Sequence, residues 1–262
     1  MLRTSVNPPK STGARLSACA APLAMASSWN IDLVEKASIQ TAIEMRATGS
    51  HWTFAPNIDL ARDPRWGRVG ETFGEDTHLV GEMGVAMIQG LQQGDFTSKN
   101  TVVANAKHWA AGGEPLTGIN LSPMDVSMRT LYEDFFPPFE RAIEAGVFTF
   151  MAAHNEINGE PAHGSKFLLT EVLREDWNFD GFVVSDWMDV SRLHTFHKVA
   201  ENPKEAVYQT VDAGMDMNMH GPNFAPYVLE LVKEGRISER RIDDSVRPIL
   251  AAKFRLGLFE KS

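Results

Sequence analysis

The chain has 262 residues with 25 Lys and Arg against 34 Asp and Glu, a formal charge of −9. That sign repels phosphate backbones and anionic headgroups, and no window gathers enough Lys and Arg to form a basic groove, so neither nucleic acid nor a membrane surface is an expected partner. At 43% hydrophobic and 23% charged residues, the composition is that of a globular protein able to bury roughly 70–75% of its unfolded surface, in one α/β barrel or two smaller domains.

At the start of the chain, Arg3, Lys10 and Arg15 precede a small-residue stretch over 16–26 that ends in an Ala-x-Ala-like pattern. Its centre is rich in alanine and interrupted by Pro22, unlike a strong signal peptide, and no compartment is assigned from it. The single cysteine, Cys19, excludes an internal disulfide and reads as a small buried residue. No apolar run approaches the ~18 residues of a membrane span. The residue pattern then predicts a helix over 31–48, a short strand at 52–56, a helix over 75–93 closed by Gly94, and a β-branched strand at 102–106 ending at Lys107. A long helical pattern over 126–145 must bend or break at Pro137 and Pro138. Beyond it come a strand at 148–153, a helix over 168–177, a strand at 182–185, a helix capped by Asn202 with Pro203 and Glu205, and a strand at 215–219. Two helices close the chain, the last announced by Ser238, with Ile237 and Ile242 spaced as a hydrophobic staple.

Strands bounded by helices, without a polar face, imply a parallel sheet buried on both sides. Polar residues follow five of them: Asn57 and Asp59, Lys107 and His108, His154 and Asn155, Asp186 and Trp187, and His220. Chemistry spread over several strand ends is how a TIM-type (β/α)8 barrel builds its active face; a doubly wound sheet concentrates it beside a glycine-rich turn, and no strand-linked G-x-G-x-x-G is present. Five strands against the eight required predict a barrel incomplete at its N-terminal end.

Asp186 closes a buried strand, where a carboxylate is either functional or a helix N-cap. Lys107 reads as a Schiff-base lysine, a hydroxyl ligand or an ion-pair partner; strand alternation would send it and His108 opposite ways unless the chain bends. The loop Asp63-Pro-Arg-Trp-Gly-Arg offers a flat apolar ring beside a guanidinium, which suits a sugar, or else is held by internal Arg–carboxylate pairs. His194 and His197 lack a third ligand at metal-binding spacing and are read as solvated on one helix; neither a metal nor another cofactor is called for.

Together, Asp63-Pro-Arg-Trp-Gly-Arg with Glu75-Asp76, Lys107-His108-Trp109, the run Met-Ala-Ala-His-Asn-Glu-Ile-Asn-Gly over 151–159 and Gly-Phe-Val-Val-Ser-Asp-Trp over 181–187 resemble, in order and spacing, the amino-terminal barrel domain of glycoside hydrolase family 3, whose members are mainly β-glucosidases. The resemblance runs from about residue 22 to the C-terminus, leaving 1–21 as an irregular, non-matching segment. It implies Asp186 as the catalytic nucleophile, Trp187 as the platform beside it, Arg68, Lys107 and His108 as ligands of the terminal sugar's hydroxyls, and Met151 in the lining of that subsite. His154 falls where the family usually has a tyrosine near the nucleophile, and is counted with the substrate-binding residues. An earlier aspartate-bearing strand and an arginine expected near Gly118 are not matched. The family's general acid usually comes from a second, α/β sandwich domain, which this sequence is expected to lack because it stops where the barrel ends. The histidine loop used instead by the N-acetylglucosaminidase branch is absent.

The resemblance implies a retaining β-glycosidase of β-glucosidase type acting on terminal β-D-glucosyl residues of small glucosides or oligosaccharides, its acid/base supplied by a second domain or chain. Oligomerisation is compatible with this. The rival readings are a non-catalytic sugar-binding or assembly module built on such a barrel, and a lysine-dependent aldolase-type barrel using Lys107.

Overall fold

The structure is a computed structural model that describes residues 20–260. Arg3, Lys10, Arg15 and Cys19 lie outside the described residues, as does most of the 1–21 segment. No described helix is long and apolar enough to cross a membrane.

After a short helix α1 (Pro22–Ala26), helix α2 (Ile31–Ala47) begins where the Asn30 side chain accepts the Leu33 amide. Helix α3 (Thr77–Gln92) begins in the same way on Asp76 and ends with Gln93 in the left-handed region. The two cross closely because Gly90 has no side chain: a Cβ there would stand 2.4 Å from the Glu35 carbonyl oxygen. Strand β1 (Asn105–Trp109) starts and ends later than the 102–106 expected, and 51–57 runs beside it in parallel through Trp52–Val103 and Asn57–Lys107. The expected long helix is broken as its prolines require, into α4 (Met128–Thr130), a wide π turn over 131–135, and α5 (Pro137–Glu144) starting on Pro137, whose missing N–H costs nothing in a first turn. Strand β2 (Thr149–Ala152) follows, then a hairpin of β3 (Glu156–Ile157) and β4 (Glu160–Pro161), a π-helical stretch Phe167–Asp176, and strand β5 (Phe182–Val184). Helices α6 (Asp189–Thr195), α7 (Pro203–Ala213), α8 (Phe224–Lys233) and α9 (Glu239–Arg255) complete the chain. Asn202 and Ser238 cap α7 and α9 as expected, and Ile237 and Ile242 share one apolar cluster.

The sheet order is β1-β2-β5, all parallel. It is prolonged on one side by 51–57 and on the other by 215–220, which pairs through Val184–Met217 and Trp187–His220. The described residues thus form a mixed α/β arc of five consecutive parallel segments; no closed barrel is present among them. Every crossover carries a helix, as parallel neighbours require. Side chains alternate with period two: Ala104, Ala106, Phe150, Ala152 and Val183 pack outward with the helices, while Val103, Met151, Phe182 and Val184 pack inward with Trp52, Met217 and residues of α9. Trp109 anchors the outer layer, its ring 4.7–5.1 Å from those of Phe136, Phe139 and Trp177.

One polar node ties the open end together. Asp216, its side chain 2% exposed, accepts from Arg174 at 2.6 Å, Ser245 at 2.9 Å and Arg241 at 3.3 Å, and also from the Val183 amide at 2.9 Å. Removing the carboxylate deprives two half-buried guanidinium groups of their shared anion, leaving Arg174 on the Phe179 and Gly181 carbonyls and Arg241 on those of Val211 and Met215. Asp216→Ala should therefore destabilise the fold by on the order of 3 kcal/mol, read as a lowered urea midpoint; a change below about 0.5 kcal/mol would mean that the node is dispensable.

Candidate active site

All five parallel segments end at one edge, and the polar residues that follow them meet there. Asp186 follows β5 and is 8% exposed. Its Oδ1 accepts the Trp187 amide at 2.6 Å, its own amide donates to His163 Nε2 at 2.9 Å, and its Oδ2 lies 3.0 Å from His154 Nε2 and 3.5 Å from His108 Nε2. Burial alone would raise this carboxyl's pKa, but the hydrogen bond from His154, with that from the Trp187 amide, holds it well below the usual carboxylate range. Asp186 is therefore an ionised carboxylate across the physiological range.

Lys107 and His108 reach this edge together because the β1–β2 register slips between Lys107 and Trp109, leaving His108 as the extra residue of a bulge. His108 is buried, with Nδ1 2.6 Å from Asp59 Oδ2 and Nε2 3.1 Å from the Arg68 guanidinium. A guanidinium can only donate, so Nε2 accepts and Nδ1–H donates to Asp59, making the ring neutral. Burial pushes its pKa down, in agreement. Arg68 also donates to both Glu71 oxygens, at 3.0 and 2.9 Å. Burial and the neighbouring Arg68 lower the Lys107 pKa, and among the described residues its ammonium forms no salt bridge within 4 Å. Its ion-pair reading is thus not realised within the described chain.

His154 is held between two carboxylates, with Nδ1 2.6 Å from Asp189 Oδ2 and Nε2 3.0 Å from Asp186 Oδ2. Burial would lower its pKa, but hydrogen bonds to Asp186 and Asp189 raise it to about 9. Asp189 is 1% exposed and is also paired with Arg192, whose guanidinium donates to the Trp187 carbonyl at 2.8 Å. His163 is buried, and because its Nε2 accepts the Asp186 amide that nitrogen carries no proton. Trp187 is 53% exposed and lies flat on His220, with centroids 4.0 Å apart and planes 8° apart.

The structure thus brings Arg68, Lys107, His108, His154, Asp186 and Trp187 to one edge, while Met151 packs in the inner apolar cluster with Trp52, Phe182 and Val184. The structure decides between the two readings of the 63–68 loop and corrects both expectations for the His194–His197 pair. Trp66 is 4% exposed and donates to Asn120 at 2.8 Å, so its ring faces the interior, and the loop is held by Asp63–Arg65 and Arg68–Glu71 pairs. Helix α6 ends before His197, so His194 and His197 do not share a helix. His194 is half-buried and contacts the Ala200 carbonyl at 3.0 Å, whereas His197 is not solvated, meeting Glu156 at 3.5 Å with its side chain 4% exposed. Asp189, Arg192 and His163 were missed as site residues; the spacing of Asp186, Asp189 and Arg192 along the start of a helix was a usable signal, whereas His163 in its loop offered none. His154, Asp186 and Asp189 could together offer three metal-ligand atoms, although both ring nitrogens of His154 are already taken by different carboxylates. A cavity of about 920 Å³, lined by Gln89, Phe96, Phe148 and Arg255, opens at the amino ends of the strands, opposite this site.

The profile of the glycosyl hydrolase family 3 N-terminal domain matches residues 11–252. A β-xylosidase of Formosa agariphila is 43% identical over 91% of this chain and 34% of its own length, and a periplasmic β-glucosidase of Salmonella typhimurium is 37% identical over 90% of this chain and 31% of its own. The crystal structure of a β-glucosidase from Listeria innocua in complex with glucose superimposes with a TM-score of 0.89 at 39% identity, covering 92% of this chain and 34% of that one. The chain therefore spans about a third of the length of the proteins it matches. With the profile extending over most of its length and these relatives agreeing with it, the chain belongs to glycosyl hydrolase family 3, over that family's N-terminal domain.

Proposed function

We propose that this chain is the barrel part of a retaining β-glycosidase that removes terminal β-D-glucosyl residues, with Asp186 as nucleophile. The reading that the five-segment arc belongs to a TIM-type (β/α)8 barrel, complete only with further strands, is part of the same proposal. The observation that carries it is a buried, ionised carboxylate at the carboxyl edge of the sheet, with donors on both oxygens and cations around it. Names of relatives support the substrate class: β-glucosidases and β-xylosidases recur among them, and one neighbour holds glucose.

In the proposed reaction, one Asp186 oxygen attacks the anomeric carbon from the face opposite the aglycone. The glycosidic C–O bond breaks, and its electron pair leaves on the aglycone oxygen, which takes a proton from a general acid. Water then attacks the anomeric carbon, the ester C–O bond breaks back to the Asp186 carboxylate, and the conjugate base of that acid receives the water's proton. Arg68, Lys107 and His108 bind hydroxyls of the sugar, His108 through Nε2 in exchange for its contact with Arg68, and the exposed face of Trp187 flanks the position of the aglycone. Met151 contributes to the lining from below. Glu71 is a poor proton donor, because its hydrogen bonds with Arg68 hold its pKa below the usual range. We assign the acid/base to a part of the protein outside these residues or to a partner chain.

Incubation with a 2-deoxy-2-fluoro β-glucoside bearing a good leaving group should leave a covalent adduct on Asp186, because the fluorine slows breakdown of the glycosyl ester. Peptide mass analysis reads the site, and a label on another carboxylate would overturn the nucleophile assignment. Lys107→Met removes a charge-assisted hydrogen bond worth about 1.5–3 kcal/mol, so glucose affinity in calorimetry should fall roughly 10- to 150-fold; unchanged affinity would remove Lys107 from the sugar site.

A missing acid matters most for poor leaving groups, where it contributes about 10²–10⁴ in rate. The purified chain should accordingly cleave nitrophenyl β-glucoside slowly and cellobiose scarcely at all, with Asp186→Ala as the control for contaminating glucosidase. Comparable kcat/KM for the two substrates would place a proton donor within the 262 residues.

A further inference from the structure

His154 has two acidic partners, one on each ring nitrogen, and this excludes most protonation patterns. A neutral imidazole has one N–H and one bare lone pair. Set between Asp189 Oδ2 at 2.6 Å and Asp186 Oδ2 at 3.0 Å, a neutral ring would direct its lone pair at a carboxylate oxygen. The alternative, a protonated carboxyl group, is disfavoured on both sides: the other oxygen of Asp189 accepts from the Arg192 guanidinium, and the other oxygen of Asp186 accepts from the Trp187 amide. Among groups facing the pair, Arg192 Nη1 lies 3.5 Å from His154 Nδ1 but donates to the nearer Asp189 Oδ1 and Trp187 carbonyl, His163 is committed as an acceptor of the Asp186 amide, and His108, stacked 6.0 Å from His154, is fixed as a neutral ring by Asp59 and Arg68. Lys107 and Arg68 add positive charge on the far side of Asp186. Two anions, Asp186 and Asp189, are thus balanced locally by two cations, Arg192 and His154, only if His154 is protonated.

We propose that His154 is a permanently charged positioning residue, an imidazolium that donates at once to the nucleophile Asp186 and to its counter-ion Asp189, rather than a ligand of the sugar. The inference rests on the reading of Asp186 as nucleophile and deepens it. Nε2–H fixes Asp186 Oδ2 while the Trp187 amide fixes Oδ1, so the carboxylate plane is set from both sides and each oxygen keeps a lone pair for attack. The cation weakens the nucleophile but stabilises the same carboxylate when it departs from the glycosyl ester. Asp189 keeps the proton on His154 during the interval when Asp186 is esterified and uncharged. Without Asp189 the ring would have no anionic partner in that state.

The test reads protons rather than turnover. In the ¹⁵N-histidine-labelled chain, with His154 assigned by the signal lost in His154→Asn, both ring nitrogens should be protonated at pH 7 and titrate together near about 9. In Asp189→Asn the midpoint should fall to the ordinary histidine range or below. In His154→Asn the Asp186 carboxyl carbon, observed by ¹³C labelling, should titrate at about 4, whereas in the parent chain it titrates lower. A neutral His154 at pH 7 in the parent chain overturns the proposal, as does a midpoint unmoved in a folded Asp189→Asn variant. If that variant fails to fold, the parent titration decides alone. Because no substrate is used, a chain that takes no label on Asp186 overturns the nucleophile reading, while a neutral His154 in a chain that does take the label overturns only the imidazolium.

Discussion

A carboxylate that is buried and yet ionised is the constraint on which the site depends. Removing Asp186 from water raises the cost of its charge, and the fold offsets that cost with oriented donors: the Trp187 amide on one oxygen and the His154 ring on the other. Each donor is itself held. The Trp187 carbonyl accepts from Arg192, Arg192 is paired with Asp189, and Asp189 closes the circuit on His154. The start of α6 therefore serves the site more than the helix, whose N-cap residue Met188 provides no side-chain cap.

Three histidines within this edge carry different proton patterns, and the partners decide each one. His108 is neutral because Arg68 takes its acceptor and Asp59 its donor; His163 is an acceptor because it faces a backbone amide; His154 faces two anions. The same side chain thus bridges a guanidinium and a carboxylate, anchors a backbone amide, or stands between two carboxylates in one protein, which is the reason residue type alone assigns none of these arrangements.

The parallel sheet explains why these groups converge. With the faces of the strands filled largely by apolar side chains, most polar groups collect toward the strand ends, and the buried Asn105 and Thr149 are hydrogen-bonded to one another within the sheet. The bulge at His108 adds what regular alternation cannot, turning two successive residues toward one edge. The family's shared N-terminal domain, matched here over residues 11–252, is in these terms a scaffold that fixes one carboxylate and gathers donors around it.

The sequence by itself determined the element types and most of their limits, because period, caps and prolines are local: Asn202, Ser238 and Pro137 act where they stand. It also pointed to the strand-end residues, since a polar residue after a buried apolar run is a local pattern too. One local signal went unused, Asn158-Gly159, whose positive φ angles of 51° and 87° make the turn between β3 and β4. Only the tertiary structure decided that Trp66 turns inward, that His194 and His197 part company, and that Asp189 and His154, 35 residues apart, lie within hydrogen-bond distance at 2.6 Å. Burial and charge pairing depend on what the rest of the chain places within about 3 Å of a side chain, and such proximity is set by the packing of whole elements rather than by the order of residues within one.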